Sequence, residues 1–277
     1  MKTSRTVRDG LAAAAALGLD RLDAQLLLGQ VLHKDRAWLH AHDDHVLSAD
    51  EWLQFEQWTV RRRAGEPVAY LVGHKEFHGL DLQVDARVLV PRPDTEVLVD
   101  WAIELLRGEL AAIAAPRVVD LGAGSGAIAL AVQRACPHAC VTATDSSAGA
   151  LEVAATNARR LGLPIETRHG SWWQAVGQRR FHLALSNPPY IAAGDGHLAA
   201  LVAEPLAALT PGASGLEALR EIVAQAPGQL EPRAWLLLEH GFDQGDAVAD
   251  LLRAQGFQRV ETRRDLAGQA RCTGGHR

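Results

Sequence analysis

The chain carries the stretch RVVDLGAGSG at residues 117–126, and this stretch decides the fold. Its first half, Arg117–Leu121, is a mostly apolar run with the length of a buried strand, and three glycines separate it from a helical pattern that begins near Ile128. Glycines at a strand-to-helix turn permit a tight bend and let a ligand approach the backbone. In open α/β sheets, ligands bind outside the carboxyl ends of the strands. The stretch therefore predicts a nucleoside-binding turn at one edge of an α/β sheet.

Strand-like and helix-like runs alternate along the C-terminal part of the chain. This alternation predicts a mainly parallel sheet with helices on both faces. The expected strands are Arg117–Leu121, Val141–Asp145, about 165–168, Phe181–Ser186, Trp235–Glu239 and a run around Val260, and the expected helices include Ala148–Leu161 and Gln244–Gln255.

Residues 1–75 have a different pattern, with apolar residues at helical spacing and no strand-like run. A capping box formed by Ser48 and Glu51 opens the last long helix of this segment. We therefore expect a small all-α bundle. Its expected helices are Val7–Leu17, Leu22–Leu32 and Glu51–Arg63.

Two short features connect these parts. Between residues 76 and 90 the apolar period changes to two, which predicts a β-hairpin or a pair of short strands. Pro91-Arg92-Pro93 follows as a stiff joint, because each proline fixes its own backbone angle. We therefore divide the chain into a helical domain at 1–75, a hairpin linker at 76–93 and an α/β domain at 94–277.

Asp145 supports a nucleoside ligand for the glycine turn. It ends the second predicted strand, nineteen residues after Gly126, where its carboxylate can accept hydrogen bonds from both hydroxyls of a ribose. However, Gly122, Gly124 and Ala127 also satisfy the glycine pattern of dinucleotide enzymes. A dehydrogenase is therefore a real alternative from these residues.

The corner Asn187-Pro188-Pro189-Tyr190 favours a different chemistry. It follows the strand Phe181–Ser186, and its two prolines end that strand and make the backbone rigid. The Asn187 side-chain oxygen and the Pro188 carbonyl are two acceptors that can grip both hydrogens of a planar NH2 group, while the Tyr190 ring covers one face. Hydride transfer gives no reason for such a grip, whereas methyl transfer from a sulfonium cofactor to nitrogen does.

Composition limits the partners. Of the 277 residues, 48% are hydrophobic and 22% are charged, which is ordinary for a globular protein. Residues 1–75 carry ten basic and ten acidic side chains, so the net charge of −5 lies in the remainder, and no basic patch indicates a grip on nucleic acid. The three cysteines form no CxxC pair, and no histidine cluster has metal-ligand spacing. We expect a cytoplasmic protein with no metal and no membrane span.

Several further stretches give the chain a resemblance that covers nearly its whole length. It resembles S-adenosylmethionine-dependent methyltransferases and, more narrowly, the HemK/PrmC family, which methylates the side-chain amide of glutamine in peptide chain release factors. The resemblance implies a Rossmann-like, seven-stranded class I methyltransferase domain preceded by a helical bundle and a β-hairpin linker. The stretches are Glu66–Leu71, Glu76–Leu80, Val90–Glu96, Asp120–Leu130, Ser186–Ile191 and Leu236–Gly241.

The resemblance also implies the site. Residues of the glycine turn would bind the methionine part of S-adenosylmethionine, Asp145 the ribose and Trp172 the adenine. Asn187 would touch both cofactor and substrate, and catalysis would depend on Asn187, Pro188 and Tyr190. The cofactor-binding residues are then Gly122, Ala123, Gly124, Ser125, Gly126, Asp145, Trp172 and Asn187, and the glutamine pocket is Asn187, Pro188, Pro189 and Tyr190.

The resemblance implies a release factor as the protein substrate, engaged with the help of the helical bundle, and we expect a monomer. The alternatives are an adenine-N6 methyltransferase acting on DNA or RNA, and a non-catalytic binding module that keeps the cofactor fold. The chain departs from the family pattern at Ser171, where an acid is usual, in a shorter loop between Ile191 and Glu204, and in the C-terminal stretch Arg271–Gly275. For Glu239 a structural role at the sheet edge is favoured, whereas Arg92 and Glu96 could orient the cofactor or tie the domains together.

Overall fold

A computed structural model describes residues 5–277, so Met1–Ser4 of the predicted helical domain lie outside the described residues. The described chain forms two compact units. One comprises residues 5–74 with 200–203, and the other comprises residues 75–199 with 204–277. The predicted boundaries at 75 and 93 stay predictions.

The first unit is helical, as the apolar spacing predicts. A side chain that precedes the helix caps the exposed N–H groups of each of its first four helices, which stabilises short helices. The predicted capping box is confirmed, because the Ser48 N–H donates to Glu51 at 2.7 Å and the Glu51 N–H donates to Ser48 Oγ at 3.2 Å. Leu27, Leu28 and Phe55 lie in its core. The helices are α1 (Val7–Ala16), α2 (Arg21–Leu32), α3 (Arg36–Ala41), α4 (Ala49–Arg63) and α5 (Val68–Val72).

The second unit contains the sheet. A two-stranded sheet comes first, formed by β1 (His74–Phe77) and β2 (Leu80–Gln83). The seven strands of the main sheet are β3 (Arg117–Leu121), β4 (Cys140–Asp145), β5 (Glu166–His169), β6 (Phe181–Ser186), β7 (Leu230–Glu239), β8 (Gln258–Arg264) and β9 (Ala270–His276). The helices are α6 (Glu96–Arg107), α7 (Ala127–Ala135), α8 (Ala148–Leu161), α9 (Glu217–Gln229) and α10 (Gly245–Ala254).

The main sheet has the order β5-β4-β3-β6-β7-β9-β8. Its first five strands are parallel, and β9 runs antiparallel to both β7 and β8. Side chains alternate across β3: Val118 packs in the core that contains α6 and α7, whereas Val119 and Leu121 pack in the core that contains α9 and α10. The predicted mainly parallel sheet with helices on both faces is confirmed. Its parallel strands bring the ends of β3, β4 and β6 to one edge.

The structure corrects two expectations about the strands. The hairpin pairs over residues 74–83 only, and residues 84–90 continue without strand pairing, although Val84, Val88 and Val90 are buried. The pattern of apolar residues predicts six strands and misses β9, whose stretch Arg271–Gly275 carries two glycines and little apolar character. Among residues 5–277, the helices are all too short or too polar to cross a membrane.

Candidate active site

The glycine turn joins β3 to α7 in a conformation that its residues require. Gly122, Gly124 and Gly126 have φ angles of 79°, 55° and 82°, in the left-handed region that favours glycine. A Cβ atom on Gly126 would come within 3.1 Å of Ala154, so this glycine lets the turn pack on α8. A Cβ on Gly124 would meet nothing within 4 Å, so the backbone is open there.

Asp145 ties the end of β4 to this turn. Its Oδ2 accepts a hydrogen bond from the Gly124 N–H at 2.9 Å, and its Oδ1 accepts one from the Ser147 N–H at 2.8 Å. Each carboxylate oxygen still has a further lone pair, because an ionised aspartate has about four acceptor sites. The carboxylate is therefore fixed in direction and able to accept hydroxyl hydrogens.

A cavity of ≈ 260 Å³ lies at the edge where β3, β4 and β6 end. This volume is close to the lower end of the range for small-molecule sites. The lining includes seven of the eight predicted cofactor residues, and Gly126 is the one left out. Those that line it are Gly122, Ala123, Gly124, Ser125, Asp145, Trp172 and Asn187, together with Pro189 of the predicted glutamine pocket.

Trp172 forms an aromatic wall of the cavity. Its φ angle is 43°, which is uncommon for a bulky residue and indicates local strain. A Cβ on Gly122 would approach the Trp172 ring to 3.0 Å, so the ring lies directly against the glycine turn. Ser171, the residue before Trp172, also lines the cavity.

The Asn187 side chain is held at its nitrogen end by Thr95. Its Nδ2 donates a hydrogen bond to Thr95 Oγ1 at 3.2 Å. This bond leaves Oδ1 as the free end of the amide, and Asn187 lines the cavity. Thr95 was not among the predicted site residues, although it also lines the cavity.

The other two predicted catalytic residues lie beside the cavity and do not line it. Pro188 is buried, and Tyr190 is partly buried. The Tyr190 hydroxyl donates to Glu239 Oε1 at 3.3 Å. The backbone carbonyl of Tyr190 accepts from Gln244 Nε2 at 3.0 Å. Burial raises the pKa of the Tyr190 phenol, and the neighbouring charge of Glu239 adds to this effect. The phenol therefore stays protonated and acts as a donor.

Two carboxyl groups near the site are fully buried. Burial raises the pKa of Asp120 to about 7, against a hydrogen bond from the Ala129 N–H at 3.1 Å. Burial likewise raises the pKa of Glu239 to about 7, against the charge of Arg271 and the hydrogen bond from Tyr190. Each carboxyl has one oxygen with no hydrogen-bond partner among residues 5–277. Groups with such pKa values cluster at functional sites.

The stiff joint borders the same cavity. Arg92 lines it and forms an ion pair with Glu204, whose side chain is 2% exposed. The second oxygen of Glu204 accepts from the Val90 N–H at 3.0 Å, so the joint and the loop after Tyr190 are fastened together. Glu96 instead accepts from the His78 N–H at 3.0 Å and so holds the turn of the hairpin.

Known proteins resemble this chain over most of its length. The family described as PrmC N-terminal domain matches residues 7–73, and the Methyltransferase small domain matches residues 95–215. The release factor glutamine methyltransferase of Bordetella pertussis (strain Tohama I) is 49% identical and aligns with 94% of this chain and 96% of its own length. The enzyme of the same name from Xylella fastidiosa (strain Temecula1) is 46% identical and aligns with 96% of each.

The chain belongs to the release factor glutamine methyltransferase family.

Membership of this family confirms the predicted resemblance and excludes the dehydrogenase interpretation of the glycine turn. A solved methyltransferase from Pyrococcus furiosus has the same fold: with 18% sequence identity and a TM-score of 0.54, it aligns over 80% of this chain and 98% of its own. The cofactor of the methyltransferase domain is S-adenosylmethionine. Within residues 5–277, no group of three or more His, Cys, Asp or Glu side chains is arranged to hold a metal ion.

Sequence reasoning did not single out Thr95 or Asp120, and it favoured a structural role for Glu239. Thr95 and Glu239 lie in stretches that the resemblance quotes, but nothing in their local sequence marks them as neighbours of Asn187. For Asp120 a signal was present, because an acid inside the apolar run of a buried strand needs a reason to be there.

Proposed function

We propose that this protein transfers a methyl group from S-adenosylmethionine to the side-chain amide nitrogen of the glutamine in the Gly-Gly-Gln loop of peptide chain release factors. One observation carries the proposal: Asn187, with its oxygen left free, lines the same cavity as Asp145 and the glycine turn, in a chain of the release factor glutamine methyltransferase family. Methylation of this kind supports translation termination.

The residues of the cavity fit the cofactor. Gly124 leaves the backbone open to the methionine part, and the fixed carboxylate of Asp145 can accept both ribose hydroxyls. Trp172 offers a flat face for the adenine. When bound, S-adenosylmethionine supplies an electrophilic methyl group: the amide nitrogen forms the new N–C bond, the sulfur keeps the electron pair of the broken S–C bond, and the nitrogen releases one proton.

The protein's own contribution is orientation of a poor nucleophile. The lone pair of an amide nitrogen is delocalised into the carbonyl, so its direction relative to the methyl group matters. Asn187 Oδ1 and the Pro188 carbonyl accept the two N–H groups of the substrate, Pro189 completes the pocket, and Tyr190 packs on the plane of the amide. Orientation of this kind can supply roughly 7–11 kcal/mol of a barrier in favourable cases.

The proposal extends to the parts of the chain outside the cavity. The helical domain at 1–75 helps to engage the release factor, the hairpin linker at 76–93 follows it, and residues 94–277 carry out the transfer. We also propose that the protein works as a monomer in the cytoplasm, where its substrates are and where its three free cysteines stay reduced.

Methylation of adenine-N6 in DNA or RNA would use the same grip, since an exocyclic amine presents the same two hydrogens. The charge distribution opposes it: the net charge of −5 lies in residues 76–277, and residues 1–75 are neutral. Nucleic-acid enzymes usually present a basic surface. A non-catalytic module is opposed by the glycine turn, Asp145 and the Asn187 corner, which are all present around one cavity.

The test compares three classes of substrate. The protein is incubated with methyl-labelled S-adenosylmethionine and purified release factor, and separately with duplex DNA and with RNA. We expect label in the release factor and background label in the nucleic acids. Label in DNA or RNA, or in none of the three, would contradict the proposal.

A further inference from the structure

A group of polar side chains lies directly behind the Asn187 corner. Thr95 Oγ1 accepts from Asn187 Nδ2 at 3.2 Å. The Glu239 carboxylate accepts from the Tyr190 hydroxyl at 3.3 Å through Oε1. Thr95 and Glu239 are 4% and 1% exposed. The Asn187 and Tyr190 side chains are therefore each held by a buried polar group.

Fold stability gives no reason for a carboxyl at this position. Glu239 ends a strand whose preceding residues, Leu236–Leu238, are apolar and fully buried. Burying a charge is costly unless it is paired and fully hydrogen-bonded, and Glu239 Oε2 has no hydrogen-bond partner among residues 5–277. An apolar residue of similar size would avoid that cost. The carboxyl therefore calls for a functional explanation.

The hydrogen bonds to the two predicted catalytic side chains provide one. Thr95 Oγ1 accepts from Asn187 Nδ2, so it holds the nitrogen end of that amide and leaves Oδ1 as the free acceptor. Glu239 Oε1 accepts from the Tyr190 hydroxyl and so holds the ring in place.

We propose that Glu239 and Thr95 are positioning residues, which hold the Asn187 amide and the Tyr190 ring in the orientation that methyl transfer to an amide requires. The inference rests on the proposed function and adds to it two residues that act through Asn187 and Tyr190. It assigns Glu239 a role in the reaction, where the sequence favoured a purely structural one.

The protonation of Glu239 links this arrangement to pH. The charged and titratable groups that face it are Arg271 and Cys272 on β9, Asp94 before α6, and Tyr190. Arg271 is itself held by Asp94 at 3.2 Å and by Asp265 at 3.0 Å. Ionised Glu239 accepts from the Tyr190 hydroxyl. A protonated carboxyl is a weaker acceptor than a carboxylate, so its hold on the Tyr190 ring weakens and kcat should fall as the pH falls through about 7.

The first test compares three threonine variants in the release factor assay. Thr95→Val removes the hydroxyl at nearly constant volume, Thr95→Ser keeps it, and Thr142→Val removes the hydroxyl of a threonine that is 5% exposed on β4. We expect Thr95→Val to lower kcat about 100-fold, as misplacement of a reacting group can. Thr95→Ser and Thr142→Val should stay within a few-fold of the wild type, and cofactor affinity should be unchanged in all three.

The second test uses Glu239→Gln, which keeps the shape and removes the titration. We expect kcat at pH 8 to fall about 10- to 100-fold and the decline of the wild-type rate below pH 7 to be absent. Normal kcat in Thr95→Val, or a wild-type pH profile in Glu239→Gln, would overturn the inference while leaving the proposed function intact. If the wild type itself puts no label into release factor, the proposed function is contradicted and the inference falls with it.

Discussion

Asp120 and Glu239 are carboxyl groups that the fold buries beside the site. Each has a pKa of about 7 in the folded chain, raised first of all by burial, from ordinary values of 3.8 and 4.5. The folded state therefore holds a proton on each group more tightly than the unfolded state does. The free energy of unfolding therefore falls as the pH rises from the pKa of the unfolded state to the pKa of the folded state, because in this range the unfolded chain has released the proton and the folded chain has not.

This difference predicts a pH dependence of stability that Glu239→Gln should reduce. Below about pH 4.5 both states are protonated at Glu239, and the group has no differential effect. Between about pH 4.5 and 7 the wild type should lose up to roughly 3 kcal/mol through this group, because one pKa unit corresponds to about 1.4 kcal/mol. Chemical denaturation at pH 5 and pH 8 measures the effect. The variant should gain stability relative to the wild type at the higher pH, and an equal difference at both values would contradict this account.

Sequence reasoning singled out the residues proposed to contact ligands but did not identify the side chains that hydrogen-bond to Asn187 and Tyr190. The glycine turn, Asp145 and Asn187 each follow a predicted strand, so parallel topology brings them to one edge. Thr95 lies 92 residues from Asn187 along the chain, and Glu239 lies 49 residues from Tyr190. Partners this distant become neighbours through packing, and a local pattern carries no signal for them.

Among the elements, β9 is the strand that apolar periodicity does not reveal. It lies between β7 and β8 and pairs with both. Its glycines let neighbouring side chains cross the strand at close range: a Cβ on Gly275 would come within 2.9 Å of Phe257. A strand that is buried by its neighbours' side chains needs little apolar character of its own, which explains why the sequence pattern gave six strands.

Gly274→Ala should therefore destabilise the sheet. The new methyl group would lie 2.7 Å from Trp101 and closer still to Leu237, so both would have to move. We expect a loss of about 1–3 kcal/mol, as for other overpacked cores. Gly228→Ala on α9 is the matched control, because nothing lies within 4 Å of its Cβ position. Urea unfolding of both variants is the measurement, and equal midpoints would contradict the packing described for β9.

Glu204 fastens the far end of the loop that follows Tyr190. Ile191 and Ala193 also bond through their N–H groups to the carbonyls of Leu209 and Gly212, at 3.0 and 2.8 Å. The two ends of the loop are thus held close to each other and to the joint at Val90.

Glu204→Ala should remove the hydrogen bond that holds the Val90 N–H. The Val90 N–H would lose its acceptor, which costs about 1–3 kcal/mol and should speed hydrogen exchange of that amide roughly ten-fold or more. Asp195→Ala is the control, since Asp195 lies in the same loop and bonds to the neighbouring His197. Exchange at Val90 that is as slow in Glu204→Ala as in the control would refute the anchor.

At the scale of the whole molecule, the fold class, the family and the cofactor could all be predicted from the sequence, because several motifs spread along the chain agree. A ligand that binds the folded state alone stabilises it by about 2.7 kcal/mol at a concentration of 100 Kd. For a unit of this size that corresponds to a rise in Tm of roughly 5–10 °C.

We therefore expect S-adenosylmethionine to raise the Tm of the wild type by that amount. The same concentration should leave the Tm of Asp145→Ala almost unchanged. Asp250→Ala, in an exposed position on α10, should respond like the wild type. Differential scanning fluorimetry compares the three proteins. A full shift in Asp145→Ala would mean that its carboxylate does not hold the ribose.

The central claim is that the Asn187 corner directs a methyl group to a glutamine amide. Release factor is incubated with S-adenosylmethionine and either wild type or Asn187→Ala, and the methylated position is mapped by fragment mass spectrometry. We predict one methyl group on the side chain of the Gly-Gly-Gln glutamine with the wild type, and none with Asn187→Ala although that variant still binds the cofactor. Methylation at another residue, or undiminished methylation by Asn187→Ala, would contradict the account.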